Sequence, residues 1–375
     1  MASTSQRDSP HERPANPRVL HVVAADTLTR FGSMFRQLGL ALSVEGIGVT
    51  MLTDDAAMVA ELEGTPIRAL RADLRGGWHT WRLGRLLTDQ LQPAPQVIHA
   101  WGEDATNAVA DWATREHCPV IPHCCSLADV RWLTWRRLAV NEHPAAICAE
   151  FANMLRDCWP TLSDRVQAYP PCLLPAADAE PPTVRGRALG VLWTGRIDRD
   201  AGLGVLLRAI AKLVKRRREV QLALLGGGPR AADVWRLAQA CGVREHVSMV
   251  DDARLWERAI RGADCLVAPA AQEDISLAPL LAMSAARIVI ACRGQHAEWF
   301  REGETSLQFE RGALDELTDL IEQAAEGRPH ALAVARSASA YVRREHSVPR
   351  LADRLIERYR ALAERRVLAG GGERT

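Results

Sequence analysis

Short apolar runs alternate along the chain with longer stretches in which apolar residues recur every three or four positions. That rhythm predicts buried parallel strands covered by amphipathic helices. Arg18–Val23 reads as a first strand, Thr29–Leu42 as a helix and Ile47–Leu52 as a second strand. Trp78–Leu91 reads as a helix, Val97–Ala100 as a strand opening into a helix from about Asp104, and Val120–Ile121 as a strand. The pattern stops in Tyr169–Thr183, where five prolines stand in fifteen residues. A stretch of that kind holds neither helix nor sheet and reads as a linker.

Beyond it the alternation restarts. Strands are expected at Leu189–Trp193, Val220–Leu225, Val247–Val250, Cys265–Ala268 and Ile288–Ala291. Helices are expected at Leu203–Arg217, Ala231–Cys241, Ala253–Arg261 and Leu314–Ala325, with a last one over Val348–Arg366. The chain therefore divides into a tail over 1–16, a Rossmann-like domain over 17–170 and a linker over 171–185. A second Rossmann-like domain follows over 186–347, and a terminal helix over 348–368. No tandem repeat is present, so a solenoid is excluded.

The length agrees with this division: 375 residues are too many for one ordinary core and suit two domains of roughly 150 to 200 residues. A net charge of +1 argues against a dedicated nucleic-acid binder. Lysine occurs only at Lys212 and Lys215, so nearly every cation is an arginine. The nine cysteines form no CxxC pair and no zinc-finger spacing, which implies buried thiols in a reduced, cytoplasmic chain. The segment before Pro17 is polar and proline-punctuated, unlike a signal peptide. No apolar run approaches the roughly 20 residues that span a bilayer.

Ligands of open α/β sheets bind beyond the carboxyl ends of the strands, and the candidate chemistry lies there. After Leu189–Trp193 come Thr194, Gly195 and Arg196, in which the glycine allows a tight turn and the guanidinium can grip a phosphate. Gly226-Gly227-Gly228-Pro229 follows the next strand and permits close approach of a ligand or of the other domain. After Val267-Ala268 a polar loop carries Glu273, and a helix is expected to open near Ser276 with Pro279 in its first turn. Free N–H groups at such a start seat a diphosphate. Elsewhere, Arg68–Arg85 and Arg131–Arg137 interleave arginine with Trp78, Trp81, Trp132 and Trp135. Two readings fit them: a peripheral contact with an anionic membrane face or a glycan, or amphipathic helices with tryptophans packed inward. Lys212–Arg218 reads as cations complementing a helix dipole.

Taken in order, Gly195-Arg196, Gly202-Leu203, Leu222–Pro229, Arg261–Ala270, Glu273, Ala282-Met283 and Gly303–Thr305 resemble the nucleotide-sugar domain of the family 4 retaining glycosyltransferases. The resemblance covers about 160 residues, and the first half is similar only in outline. It implies the GT-B architecture, two Rossmann-like domains whose parallel sheets face a central cleft, with the terminal helix packing back on the first domain. It further implies transfer of a hexosyl group from a nucleotide-sugar co-substrate to an acceptor hydroxyl, lipid-linked or polysaccharide, with retention and with no cofactor or metal required.

By that resemblance Arg196 holds the donor diphosphate, helped by Arg199, Gly195 and the N–H groups of Ser276 and Leu277. Glu273 contacts the donor sugar, and a first-domain histidine lies beside it. Of His99 and His123, the latter suits a strand end better and is the expected catalytic partner of Glu273. Gly32 is the expected phosphate-loop glycine. Two positions depart from the family: Ala201 stands where a lysine holds the diphosphate, and Leu281 where a glutamate holds the ribose. The rival reading is therefore a catalytically degenerate GT-B protein that binds a nucleotide, a glycan or a protein partner.

Overall fold

The computed structural model describes residues 16–75, 80–177, 179–183, 186–197, 201–252, 255–271 and 273–371. Two parallel sheets organise them. The first comprises β1 (Arg18–Val23), β2 (Gly48–Thr53), β3 (Arg68–Arg71), β4 (Val97–Trp101), β5 (Val120–Cys124), β6 (Ala145–Ala146) and β7 (Gln167–Ala168) in the order β3-β2-β1-β4-β5-β6-β7. The second comprises β8 (Leu189–Thr194), β9 (Val220–Leu225), β10 (Val247–Val250), β11 (Cys265–Ala268), β12 (Ile288–Cys292) and β13 (Leu307–Phe309) in the order β10-β9-β8-β11-β12-β13. In each, the strand that opens the sheet lies inside it, and the order reverses beside it. Crevices at such reversals are where open α/β sheets take ligands.

The apolar runs form strands because both faces of each sheet are covered; β4 and β5 are buried at every position. Several elements differ from expectation. Arg68–Arg71, read as part of a basic amphipathic helix, is the edge strand β3, whose consecutive apolar residues Ala69 and Leu70 face opposite sides of the sheet and pack against different clusters. The strands β6 and β7 are too short to show a period, the helix Leu127–Trp135 overlaps the amphipathic reading of Arg131–Arg137 but starts earlier, and the helices Ala149–Cys158 and Pro329–Glu345 were given no bounds by the sequence. The helix expected near Ser276 begins at Ala278 and runs only to Ser284. Ala253, expected to open a helix, lies outside the described residues, and that helix is described from Trp256.

The closing helix, Val348–Gly371, packs on the first helix, Ala25–Val44. Its Leu351, Leu355, Tyr359 and Leu362 are buried. It binds back through polar contacts as well: Arg366 donates to the carbonyls of Pro95 and Glu116, at 2.5 and 2.7 Å. The chain thus crosses between its halves twice, and the crossings run side by side. Leu173 N–H donates to the His346 carbonyl at 2.9 Å, and His346 Nδ1 lies 2.8 Å from the carbonyl of Pro171. One buried apolar cluster continues through both halves, from Val19 and Phe31 to Leu280, Leu281 and Tyr341.

Candidate functional site

The turn after β8 is fixed by its neighbour after β9. Gly195 N–H donates to the carbonyl of Leu225, Ile197 N–H to Gly227 and Arg230 N–H to Ile197, at 2.9 to 3.1 Å. A Cβ on Gly226 would lie 1.9 Å from the Gly195 carbonyl oxygen, and one on Gly228 2.4 Å from that of Ile197. The glycine run therefore serves close packing of two loops within one domain, where the sequence had suggested a ligand or the opposite domain. The interlock holds Arg196, exposed, between two anchored neighbours. Arg199 lies outside the described residues.

Glu273 and Asp274 occupy the loop between β11 and the helix Ala278–Ser284, and this loop lies directly on the first domain. Leu127 N–H donates to the Glu273 carbonyl at 2.9 Å, Ile275 N–H to Cys125 at 3.4 Å and Leu277 N–H to Arg30 at 3.1 Å. Ser126 and Asp274 pair as an isolated antiparallel bridge. The side chains repeat the join: Arg131 lies 3.6 Å from the Glu273 carboxylate and Arg30 3.6 Å from that of Asp274. Farther along the seam Glu298 accepts from Ala149 N–H at 3.1 Å, and His296 lies 2.8 Å from Glu150.

The expected diphosphate seat is corrected in one respect: the N–H of Leu277 is given to the Arg30 carbonyl. Ser276 remains half-buried at the lip of a small cavity shared with Thr194, Gln295 and Trp299. Leu281 is buried in the apolar core, which accounts for an apolar residue there.

His123 stands at the end of β5 as expected, but its ring is turned into the first domain and is only 1% exposed. His123 Nδ1 lies 2.9 Å from His99 Nε2, and His99 Nδ1 lies 2.7 Å from the hydroxyl of Tyr359 on the closing helix. The Trp101 indole stacks on both rings and donates to His21 Nδ1 at 3.3 Å. Burial holds all three imidazoles neutral: it pushes His123 down to about 3, His21 to about 4, and His99 well below the usual histidine value, the neighbouring rings adding to the shift at His99. Structure thus brings His99 and His123 together in the interior of the first domain.

Gly32 sits in the first helix, where an added Cβ would make only an ordinary 3.7 Å contact with Met58 Cε. Nothing at that position demands glycine. Trp135 is 90% exposed, against the reading of inward-packed tryptophans, whereas Trp132 is half-buried beneath the Arg136 guanidinium; Trp78 and the Trp81 side chain lie outside the described residues. Lys212, Arg216 and Arg218, expected to complement a helix end, pair with Asp315, Glu322 and Glu326 on the helix Leu314–Ala325.

Residues that the sequence reading missed are Arg30 and Asp129, and Arg131 was read only as part of a basic, tryptophan-containing segment. The Asp129 carboxylate accepts from Glu103 N–H and Cys125 N–H, both at 2.9 Å, and so ties the loops after β4 and β5 together. Its signal was a Ser126-x-x-Asp129 spacing that suits a helix start. Among the described residues no group of three or more His, Cys, Asp or Glu side chains is placed to hold a metal ion.

Residues 188–326 match the family model described as Glycosyl transferases group 1. The match takes in most of the second domain. A stretch of 176 residues, 46% of the chain, is 24% identical to an alpha-D-kanosaminyltransferase from Streptomyces kanamyceticus. The match spans only 45% of that relative, less than half its length. The whole fold is shared with solved structures. A glycosyltransferase from Rickettsia africae aligns with a TM-score of 0.72 at 14% identity, over 92% of this chain and 98% of the other. Anabaena Alr3699/HepE, solved with UDP and glucose, aligns with a TM-score of 0.74 at 13% identity, over 92% of this chain and all of the other. The two sheets and the cleft between their carboxyl ends are the GT-B architecture.

Proposed function

We propose that the protein is a glycosyltransferase that moves a hexosyl group from a nucleotide-sugar to an acceptor hydroxyl, with retention and without a metal. The observation that carries this reading is the family match over residues 188–326, together with Arg196 anchored at the carboxyl end of β8. In the reaction Arg196, with Gly195 and the Ser276 N–H, neutralises the leaving diphosphate, and Arg199 supplies a second guanidinium in place of the lysine missing at Ala201. Glu273 accepts hydrogen bonds from the donor sugar once it parts from Arg131. His123 acts at one remove, as part of the buried stack that shapes the end of β5.

A second reading, a GT-B protein that binds a nucleotide, glycan or protein partner without turnover, is favoured by the burial of Leu281 in the core. Calorimetric titration with UDP, GDP and ADP, followed by donor hydrolysis, separates the two. The glycosyltransferase reading expects one nucleotide to bind and its sugar conjugate to be hydrolysed. Arg196→Ala is expected to weaken binding by roughly ten- to hundredfold, the worth of one charge-assisted contact, and Glu273→Ala to lower hydrolysis more than nucleotide binding. Binding without hydrolysis selects the second reading, and binding indifferent to Arg196→Ala sinks the assignment of the site.

A further inference from the structure

We propose that Arg30 is a positioning residue that latches the first domain onto the loop 273–277 and thereby gates access to the donor seat. The inference rests on the reading of that loop as the donor site.

Arg30 is a single residue bonded to both halves of the molecule. Its guanidinium donates to the carbonyl of Cys125 at 3.1 Å within its own domain and to the carbonyl of Ile275 at 3.3 Å across the cleft. It also faces the Asp274 carboxylate at 3.6 Å, while its own carbonyl takes the N–H of Leu277. The Arg30 side chain is 15% exposed, so its two carbonyl contacts are largely shielded from water, whereas Asp274, at 60% exposed, leaves the ion pair open to screening by salt. The N–H groups of Ile275 and Leu277, which a phosphate approaching this loop would seek, are donated instead to first-domain carbonyls.

When the domains part, the Leu277 N–H is released, and Arg30 leaves Ile275 and Asp274 together. The donor therefore competes with the latch, and its apparent affinity is its intrinsic affinity reduced by the fraction of molecules that are open. Arg131 on Glu273 acts in the same sense from the neighbouring helix, with more water around it: its side chain is 59% exposed.

The test compares the wild type with Arg30→Ala, Arg30→Lys and Asp274→Asn in the full chain. Asp274→Asn breaks the ion pair from the other side and leaves the first helix intact. Amide hydrogen exchange at Leu127, Ile275 and Leu277 is expected to speed up roughly tenfold in Arg30→Ala, because the latch holds those bonds closed. It is expected to rise less in Arg30→Lys and Asp274→Asn. Titration with UDP, GDP and ADP is expected to show tighter binding of the accepted nucleotide in Arg30→Ala, by up to roughly tenfold.

Unchanged exchange overturns the latch. Weaker nucleotide binding in Arg30→Ala overturns the gating and makes Arg30 a ligand of the diphosphate. Faster exchange with no nucleotide bound by any form overturns the donor reading and the gating that rests on it; the exchange measurement needs no nucleotide, so the two failures are told apart.

Discussion

At the scale of single residues, the contacts that matter at the cleft are made by the backbone as often as by side chains. Gly226 is the clearest instance: its φ of +138° and the Gly195 carbonyl beside it leave no room for a Cβ. Gly226→Ala is expected to cost about 1–3 kcal/mol from the conformation alone, with the clash adding to it, and to displace the turn that carries Arg196. Gly262, which ends a helix with nothing within 4 Å of an added Cβ, is the control, and Gly262→Ala should leave stability equal or raise it by about 0.4–1 kcal/mol. Urea unfolding of the two variants checks both, and equal effects would refute the interlock. The sequence displayed the glycines plainly but not what they approach, because the interlocking partner, Gly195 to Ile197, lies thirty residues away. Arg30 was illegible for the same reason. It sits in an amphipathic helix like any surface arginine, and only the fold brings Ile275 to it.

Among the elements, those with a long period were read almost to the residue, while those defined by their neighbours were not. The strand β9 and the helix Leu314–Ala325 have the expected bounds, since several turns of consistent pattern fix them. The strands β6 and β7 exist because a sheet edge offers unpaired groups to whatever chain passes, and two residues carry no pattern. The closing helix shows the limit most clearly. Its apolar face was visible, but Tyr359 looks like any amphipathic aromatic until His99 is found 2.7 Å from its hydroxyl across 260 residues of chain. Tyr359→Phe leaves the buried His99 Nδ1 unsatisfied and is expected to cost about 1–3 kcal/mol in urea unfolding. A cost near zero would show that the ring packing alone holds the helix.

Over the whole molecule, the plan of two parallel sheets was legible because it follows from local periodicity. What was not legible is the inward turn of His123: a strand residue's side depends on which face is covered, and β5 is covered on both. That turn has a solution consequence. In the unfolded chain His21, His99 and His123 take up protons near pH 6.5, whereas in the fold burial keeps them neutral down to about 4 for His21 and about 3 for His123. As pH falls below 6.5 the unfolded state binds more protons than the folded one, so stability falls with it. Each such imidazole removes up to about 1.4 kcal/mol per pH unit. Unfolding free energy measured from pH 8 to pH 4.5 should be level above pH 7 and decline below 6.5, and a flat profile would contradict the buried stack.

The placement of Tyr359 bears, finally, on how the protein is made. The first domain is opened by β1 and is covered by the helix Val348–Gly371, which is made after every strand of the second domain. A nascent chain can close the second domain, all of whose strands lie before residue 310, while the histidines of the first still lack their cover. Synthesis therefore runs from the first domain to the second, and completion runs the other way.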